Sequence, residues 1–581
     1  MQPLIAFDHV SFRYQPGEGP AIQALDDVSL SIVEGEFVAL VGANGSGKST
    51  FARLVNALLI PQSGTVSVLG LDTQMPENRA RIHAAVGMVF QYPEDQVVAA
   101  TVEDDVAFGP ANLGLPTPEI QRRVEQALNE VGLLEHRGRP SHLLSAGQTQ
   151  RLALAGVLAM HPRCIIFDEA STMLDPAGRR MLLDAMQRLH REGLTILFIT
   201  HFMDEAALAE RMIVFHRGKV ALDGTVEQVF GDPGRLKEYR LDLPPAGRAA
   251  RLLRGVFTEI PHGILTLPPL LAALPAYEGR RAPAWFSPTV HLDRTPPEAL
   301  IDVAHLGYVY LKDTAQAQRA LEDVSMQVME KQVHGLLGMT GSGKSTLMQH
   351  LNALLRPQEG QVRVGRFNLN NPRLDRREVI RQVGLVFQNP ETQFFEHFVG
   401  DEIAFGPRQF GVTDLAGRVQ WAMDQVGLDF ETYKDRPLFA LSGGERRKVA
   451  LASTLALQPA VLLLDEPTAG LDPLARLELL ERLSAMRDSG MTLVLSSHQM
   501  EDMARLAHAL TVFHKGRVAL SAATATVFGR HEELRAYGLE PPVAMKIAEA
   551  LRQKGWPVAG DVLTLHGLAD HLAAVRKETA G

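Results

Sequence analysis

The sequence is written twice. Gly-Ser-Gly-Lys-Ser-Thr stands at residues 45–50 and again at 341–346, and Asn-Ala-Leu-Leu follows at 56–59 and 352–355, an offset of 296. Val-Phe-Gln at 89–91 returns at 386–388, and Ala-Phe-Gly-Pro at 107–110 returns at 404–407, where the offset has become 297. A period of this length is a duplicated domain, because solenoid units run to about 20–50 residues. The 581 residues leave room for about three to five domains with sizeable cores. The duplication also makes the chain a pseudo-dimer of itself.

Each copy opens with an apolar run, at 36–41 and at 334–337, followed by a glycine-rich turn and a helical pattern. Further near-continuous apolar runs lie at 164–167 and 461–464, and at 195–199 and 492–495. Runs of that kind suit a parallel sheet covered on both faces, so the expected fold is α/β, twice. From Pro244-Pro245 to about Pro297 the chain is rich in Pro and Ala, which reads as a small helical appendage plus linker. Leu-Thr-Leu at 265–267 matches 563–565 and Pro244-Pro245 matches Pro541-Pro542, so each half ends in an appendage. The expected domains are 1–238 and 300–535 as cores, 239–299 as the first appendage with its linker, and 536–581 as the second appendage.

Composition narrows the function. Lys plus Arg number 58 against 67 Asp plus Glu, a net charge of −9, which argues against nucleic acid as the main partner. The single cysteine, Cys164, excludes an internal disulfide and any four-cysteine zinc or iron–sulfur site. The first residues show no basic stretch followed by an apolar one, so no secretory signal is expected. No stretch reaches the roughly 18–20 uninterrupted apolar residues of a spanning helix; 252–277 is broken by Arg254, Glu259, His262 and four prolines. Any membrane role is expected to be peripheral.

Residues 42–49 and 338–345 both fit G-x-x-x-x-G-K-[ST] between an apolar strand and a helix. Gly42, Gly45 and Gly47, like Gly338, Gly341 and Gly343, let backbone N–H groups close on phosphate, with Asn44, Ser46, Thr50, Thr340, Ser342 and Thr346 completing the cradles. Lys48 and Lys344 reach the outer phosphates, and Ser49 and Ser345 offer hydroxyls to Mg²⁺. Asp168-Glu169 and Asp465-Glu466 end buried-strand patterns, where one carboxylate can hold Mg²⁺ and its neighbour can polarise a water. A lone Asp-Glu pair is an ordinary loop; its repetition downstream of a phosphate loop reverses that reading. His201 and His498 follow the next strand, placed to contact a terminal phosphate or the water, although a single histidine there is more often structural. Gln91 and Gln388 taken alone are ordinary polar loop residues. Ser145, Ala146, Gly147 and Gln148, with Ser442, Gly443, Gly444 and Glu445, open amphipathic runs and present a second anion-binding helix end in each half; alone, each reads as a plain N-cap.

In this order the motifs resemble the nucleotide-binding domains of ABC (ATP-binding cassette) transporters over about 230 residues per half. The resemblance implies two tandem P-loop domains, each with a helical subdomain that carries the signature, and ATP with Mg²⁺ as cofactors. Glu169, Glu466, His201, His498, Gln91 and Gln388 become catalytic candidates, and Ser49, Gln91, Asp168, Ser345, Gln388 and Asp465 metal candidates. It further implies a head-to-tail sandwich, with Ser442, Gly443 and Gly444 closing on ATP held by Lys48, and Ser145, Ala146 and Gly147 on ATP held by Lys344. Tyr14 and Tyr310, each 28 residues before its phosphate loop, would stack on adenine; Tyr308 is a rival and core packing the plainer reading.

A narrower similarity is to the ATPases of energy-coupling factor (ECF) transporters, which take up vitamins and metal ions. It rests on residues 90–96 with 102–115, on 387–393 with 401–407, and on 168–175 beside 465–472, which resemble the two members of an ECF pair fused in one chain. It implies partners in the membrane, a transmembrane scaffold and a substrate-capture subunit, with a coupling helix of a transmembrane subunit docking beside Gln91 and Gln388 at 92–110 and 389–407 and the ATPase at the cytoplasmic face. A conventional ABC importer ATPase, or a soluble tandem ABC protein acting on ribosomes or DNA, is the alternative. Ala146 in place of glycine is expected to weaken the site built on Lys344, and Glu445 in place of glutamine adds negative charge.

Overall fold

The computed structural model describes residues 3–15, 21–172, 174–277, 299–314 and 316–580, with backbone alone at Ala146, Glu391 and 578–580. Two compact units divide the chain: residues 1–245 with 472–474, and residues 246–471 with 475–581. The proline-rich linker expected beyond residue 277, like Met173 in the first Asp-Glu motif, lies outside the described residues.

The first unit carries a six-stranded sheet in the order Lys219–Thr225, Arg211–His216, Phe37–Val41, Thr195–Ile199, Cys164–Asp168, Val86–Val89. All neighbours are parallel except the antiparallel edge strand Lys219–Thr225. Every residue of Phe37–Val41, Cys164–Asp168 and Thr195–Ile199 is buried, which is why these strands read as unbroken apolar runs. A smaller antiparallel sheet, Ile22–Ile32, Ile5–Tyr14, Ser63–Val68 and Leu71–Asp72, closes the core over the first phosphate-loop helix. Helices Val102–Asn112, Thr117–Glu130 and Ala146–Leu158 pack on one another as a helical subdomain.

The second unit repeats the plan. Its six strands run Val383–Val386, Val461–Leu464, Thr492–Ser496, Val333–Gly338, Ala509–His514, Arg517–Ala523, again parallel but for the last. One substitution alters its core chemistry. His334 takes the register position of Val38 and is buried, its Nε2 2.7 Å from Thr511 Oγ1, which lies 2.8 Å from Ser521 Oγ. Burial pushes the His334 imidazole down to about 4 from its ordinary 6.5. The unfolded chain therefore takes up the proton first, and stability falls as pH drops from 6.5 towards 4, by about 3 kcal/mol in full. Replacing His334 with Val, the residue the first half uses, is expected to flatten the acid limb of a melting temperature against pH profile; an unchanged limb would assign it elsewhere.

The appendages of the two halves pack on one another. Helices Pro245–Arg254 and Leu267–Ala273 of the first half share one core with Val543–Gln553 and Leu565–Ala580 of the second, so 246–277 groups with the second unit. Phe257 and Tyr277 meet the Trp556 ring edge-on, at 4.9 and 5.1 Å, and Trp556 Nε1 donates to the Pro275 carbonyl at 2.9 Å. Two short helices cannot bury their own apolar stripes, whereas two pairs together can. Sequence periodicity shows the stripes but not which helices face each other.

Candidate functional site

Each phosphate loop joins a fully buried strand to a helix that starts at the lysine: Phe37–Val41 to Lys48–Val55, and Val333–Gly338 to Lys344–Leu351. Glycine is required at both ends of the loop. Gly42 and Gly47 have φ of 149° and 109°, and a Cβ there would lie 2.2 Å from the Phe215 carbonyl oxygen and 2.5 Å from that of Ala24. Gly338 and Gly343 repeat the geometry at 147° and 108°. Between them Gly45 and Gly341 are exposed with positive φ, leaving backbone open to a ligand.

Lys48 and Lys344 are buried, and their ammonium groups donate back into their own loops. Lys48 Nζ bonds the carbonyls of Gly42 and Ala43 at 2.9 and 3.0 Å, and Lys344 Nζ those of Gly338 and Met339 at 2.7 and 3.0 Å. Burial holds the Lys48 amine below its ordinary range, and the charges of Glu169 and Asp168 pull it partly back. A buried ammonium that rests on loop carbonyls is placed to exchange them for the stronger, charge-assisted bonds of an anion.

Opposite the first loop, Asp168 ends its strand and accepts Ser49 Oγ at 2.9 Å. Burial, with the neighbouring Glu169 charge, pushes Asp168 up to about 6. Both oxygens of Glu169 are engaged: Gln91 Nε2 donates at 3.2 Å and His201 Nε2 lies at 2.6 Å. Burial raises the Glu169 carboxyl, but the charge and hydrogen bond of His201, with Lys48, carry it below the usual range. A hydroxyl and a carboxylate this close form a hard oxygen donor set, which suits Mg²⁺ completed by phosphate oxygens and waters.

The second half places the same residues differently. Asp465 Oδ1 accepts Ser496 Oγ at 2.6 Å, and Ser345 is exposed. Ser496 stands where the first half has Ile199, and its hydroxyl captures the carboxylate that Ser49 holds in the first half. His498 Nε2 is 3.1 Å from Glu466 Oε1, yet that oxygen has no hydrogen-bond partner among the described residues, and the backbone N–H of His498 donates to Oε2 at 3.2 Å. Burial drives this pair towards neutrality, Glu466 up to about 7 and His498 down to about 3. Arg447 donates to the backbone carbonyls of Glu466 and Gln388 at 2.6 and 3.0 Å, whereas the amide nitrogen of the corresponding buried Gln150 has no hydrogen-bond partner among the described residues.

Both signature serines cap helices, Ser145 that of Ala146–Leu158 and Ser442 that of Gly443–Leu455, each in a capping box with the residue three positions on. Gln148 and Glu445 are thereby turned onto their own helix ends and not outward: Ser145 N donates to Gln148 Oε1 at 2.9 Å and Ser442 N to Glu445 Oε2 at 2.7 Å. The Tyr433 hydroxyl donates to Glu445 Oε1 at 2.7 Å, so the extra charge foreseen there is spent locally. A Cβ at Gly443, the counterpart of Ala146, would meet nothing within 4 Å; Gly147 is equally open, and Gly444 faces only Leu471 at 3.6 Å. The Tyr14 and Tyr310 hydroxyls each lie 3.3 Å from the loop-helix threonines Thr50 and Thr346. Tyr308 instead packs into the core against His350, at 4.8 Å.

Two copies of a phosphate loop, each facing an acidic strand end and a histidine, define a duplicated P-loop nucleotide site. The family model described as ABC transporter matches residues 25–172 and 321–469. The chain belongs to the ABC transporter family: it binds ATP and is an ATP hydrolase with two ATPase domains in one chain. A putative ABC transporter ATP-binding protein of Methanosarcina mazei is 34% identical over 588 residues, 98% of this chain and 97% of that protein. The energy-coupling factor transporter ATP-binding protein EcfA1 of Symbiobacterium thermophilum is 52% identical over 277 residues, covering 47% of this chain and 96% of its own. Among solved structures, cbiO1 from Clostridium perfringens, part of the ABC transporter complex cbiONQ, covers 41% of this chain and 94% of its own at TM-score 0.37 and 32% identity.

Proposed function

We propose that the chain is the energy-coupling ATPase of an ECF-type uptake transporter for a vitamin or a transition-metal ion, bound peripherally to membrane subunits at the cytoplasmic face. The observation that carries this is the length relation: the EcfA1 relative, nearly whole, matches about half of a chain that carries two complete sets of site residues. No helix among the described residues is long and apolar enough to cross a membrane.

In this reading Lys48 and Lys344 exchange their loop carbonyls for ATP phosphates, and Tyr14 and Tyr310 stack on adenine. Ser49 with Asp168 would hold Mg²⁺, and so would Ser345 with Asp465 once Asp465 leaves the Ser496 hydroxyl; the ion would neutralise phosphate charge. Glu169 and Glu466 polarise the attacking water, His201 and His498 orient it and the terminal phosphate, and Gln91 and Gln388 report occupancy to the docking segments 92–110 and 389–407. ATP shifts a two-state transporter only through differential affinity, and moving it from 1:99 to 99:1 takes about 5.5 kcal/mol. The purified full-length chain is expected to hydrolyse ATP with Mg²⁺ and to stop when excess EDTA is added; hydrolysis indifferent to EDTA would remove the metal from the account.

A further inference from the structure

Four residues beyond His201 lies Glu205, fully buried. Its Oε2 accepts Ser171 Oγ at 2.9 Å and Thr200 Oγ1 at 2.5 Å, while Oε1 receives Arg179 Nε. Ser171 is two residues past Glu169, Thr200 immediately precedes His201, and Arg179 sits in the helix Pro176–Arg191 that Asp175 caps. Arg179 also lies over the Phe202 ring at 3.9 Å. One carboxylate thus gathers donors from three separate segments.

The second half rebuilds this with altered residues. Asp502, 2 % exposed, accepts Thr468 Oγ1 at 2.8 Å and Arg476 Nε and Nη2 at 3.0 and 2.7 Å. Thr468 stands two residues past Glu466, and Arg476 in the helix Pro473–Asp488. The two copies differ in the acid and in the hydroxyl residue, yet both tie the acid to the loop after the Asp-Glu pair and to the arginine of the next helix.

A buried ion pair is a poor stabiliser, since desolvation offsets its attraction, so its use here calls for a geometric reason. That reason lies next to it. Glu169 and Glu466 adopt left-handed backbone, φ 52° and 49°, which a non-glycine residue holds only where its surroundings enforce it. We propose that Glu205 and Asp502 are positioning residues for ATP hydrolysis, each clamping the loop of Glu169 or Glu466 to the segment that carries His201 or His498. The inference rests on the reading of those two glutamates as the groups that polarise water.

The test compares full-length Glu205→Gln with Asp502→Asn against wild type, measuring kcat, KM for ATP and melting temperature. The expected result is a kcat about 10–100-fold lower with KM for ATP changed less than about 3-fold, the mark of a misplaced reacting group. The charge-keeping exchange Glu205→Asp with Asp502→Glu should restore most of the loss. If the first pair does not fold, Ser171→Ala with Thr468→Ala decides, with an expected kcat loss of about 3–10-fold at constant KM. Wild-type kcat, or losses that follow only the folded fraction, overturn the clamp. Rapid turnover by Glu169→Gln with Glu466→Gln would instead overturn the reading beneath it, so the two failures are told apart.

Discussion

Replacing Glu169 and Glu466 together by glutamine is expected to leave ATP binding intact and slow hydrolysis by about 10²–10⁴-fold, the range for losing a general base. The amide keeps the shape and the hydrogen bond to His201 or His498 but cannot take a proton from water. The single variants separate the halves. Glu169 sits between Gln91 and His201 and is held ionised, whereas burial pushes Glu466 up to about 7. Glu169→Gln is therefore expected to cost more of the total rate at pH 6 than Glu466→Gln. Steady-state hydrolysis beside nucleotide-binding titrations checks this, and a double variant that turns over at near wild-type rate refutes the role given to both carboxylates.

The second large effect is on binding. Lys48→Ala with Lys344→Ala removes the buried ammonium groups that now rest on loop carbonyls. Hydrogen bonds to charged groups contribute about 1.5–3 kcal/mol, so affinity for ATP should fall by about 10–100-fold per site. The fold should survive, because the loop conformation is set by glycines and by the strand beneath, and the apolar stem can be lost without opening the sheet. Titration with a non-hydrolysable analogue reads the loss directly; unchanged affinity would mean that the loops do not hold phosphate.

Much of this was legible in the sequence because it is written in short motifs and unbroken apolar runs. Phe37–Val41, Cys164–Asp168 and Thr195–Ile199 lie where apolar continuity put them, and the phosphate loops join strand to helix as their glycines require. What escaped depends on partners distant in sequence. Ser496 looks like one more strand residue until it is set against Ile199, and only the sheet shows that its hydroxyl reaches Asp465. Glu205 and Asp502 belong to no motif, and a hydroxyl that binds each lies 34 residues away, at Ser171 and Thr468. Gln148 and Glu445 show in sequence only as residues of the signature runs; the capping box that turns each onto its own backbone needs the helix geometry. The appendage periodicity is local, and its pairing across some 280 residues, Trp556 to Pro275, is not.

The most direct test of the transport claim is detergent purification of the tagged full-length chain from its native membranes, with mass spectrometry of what accompanies it in stoichiometric amount. The account predicts a transmembrane scaffold subunit together with a small integral-membrane protein that captures the substrate. A stoichiometric set of ribosomal or DNA-repair proteins, with no membrane subunit, would contradict it while leaving the ATP chemistry in place.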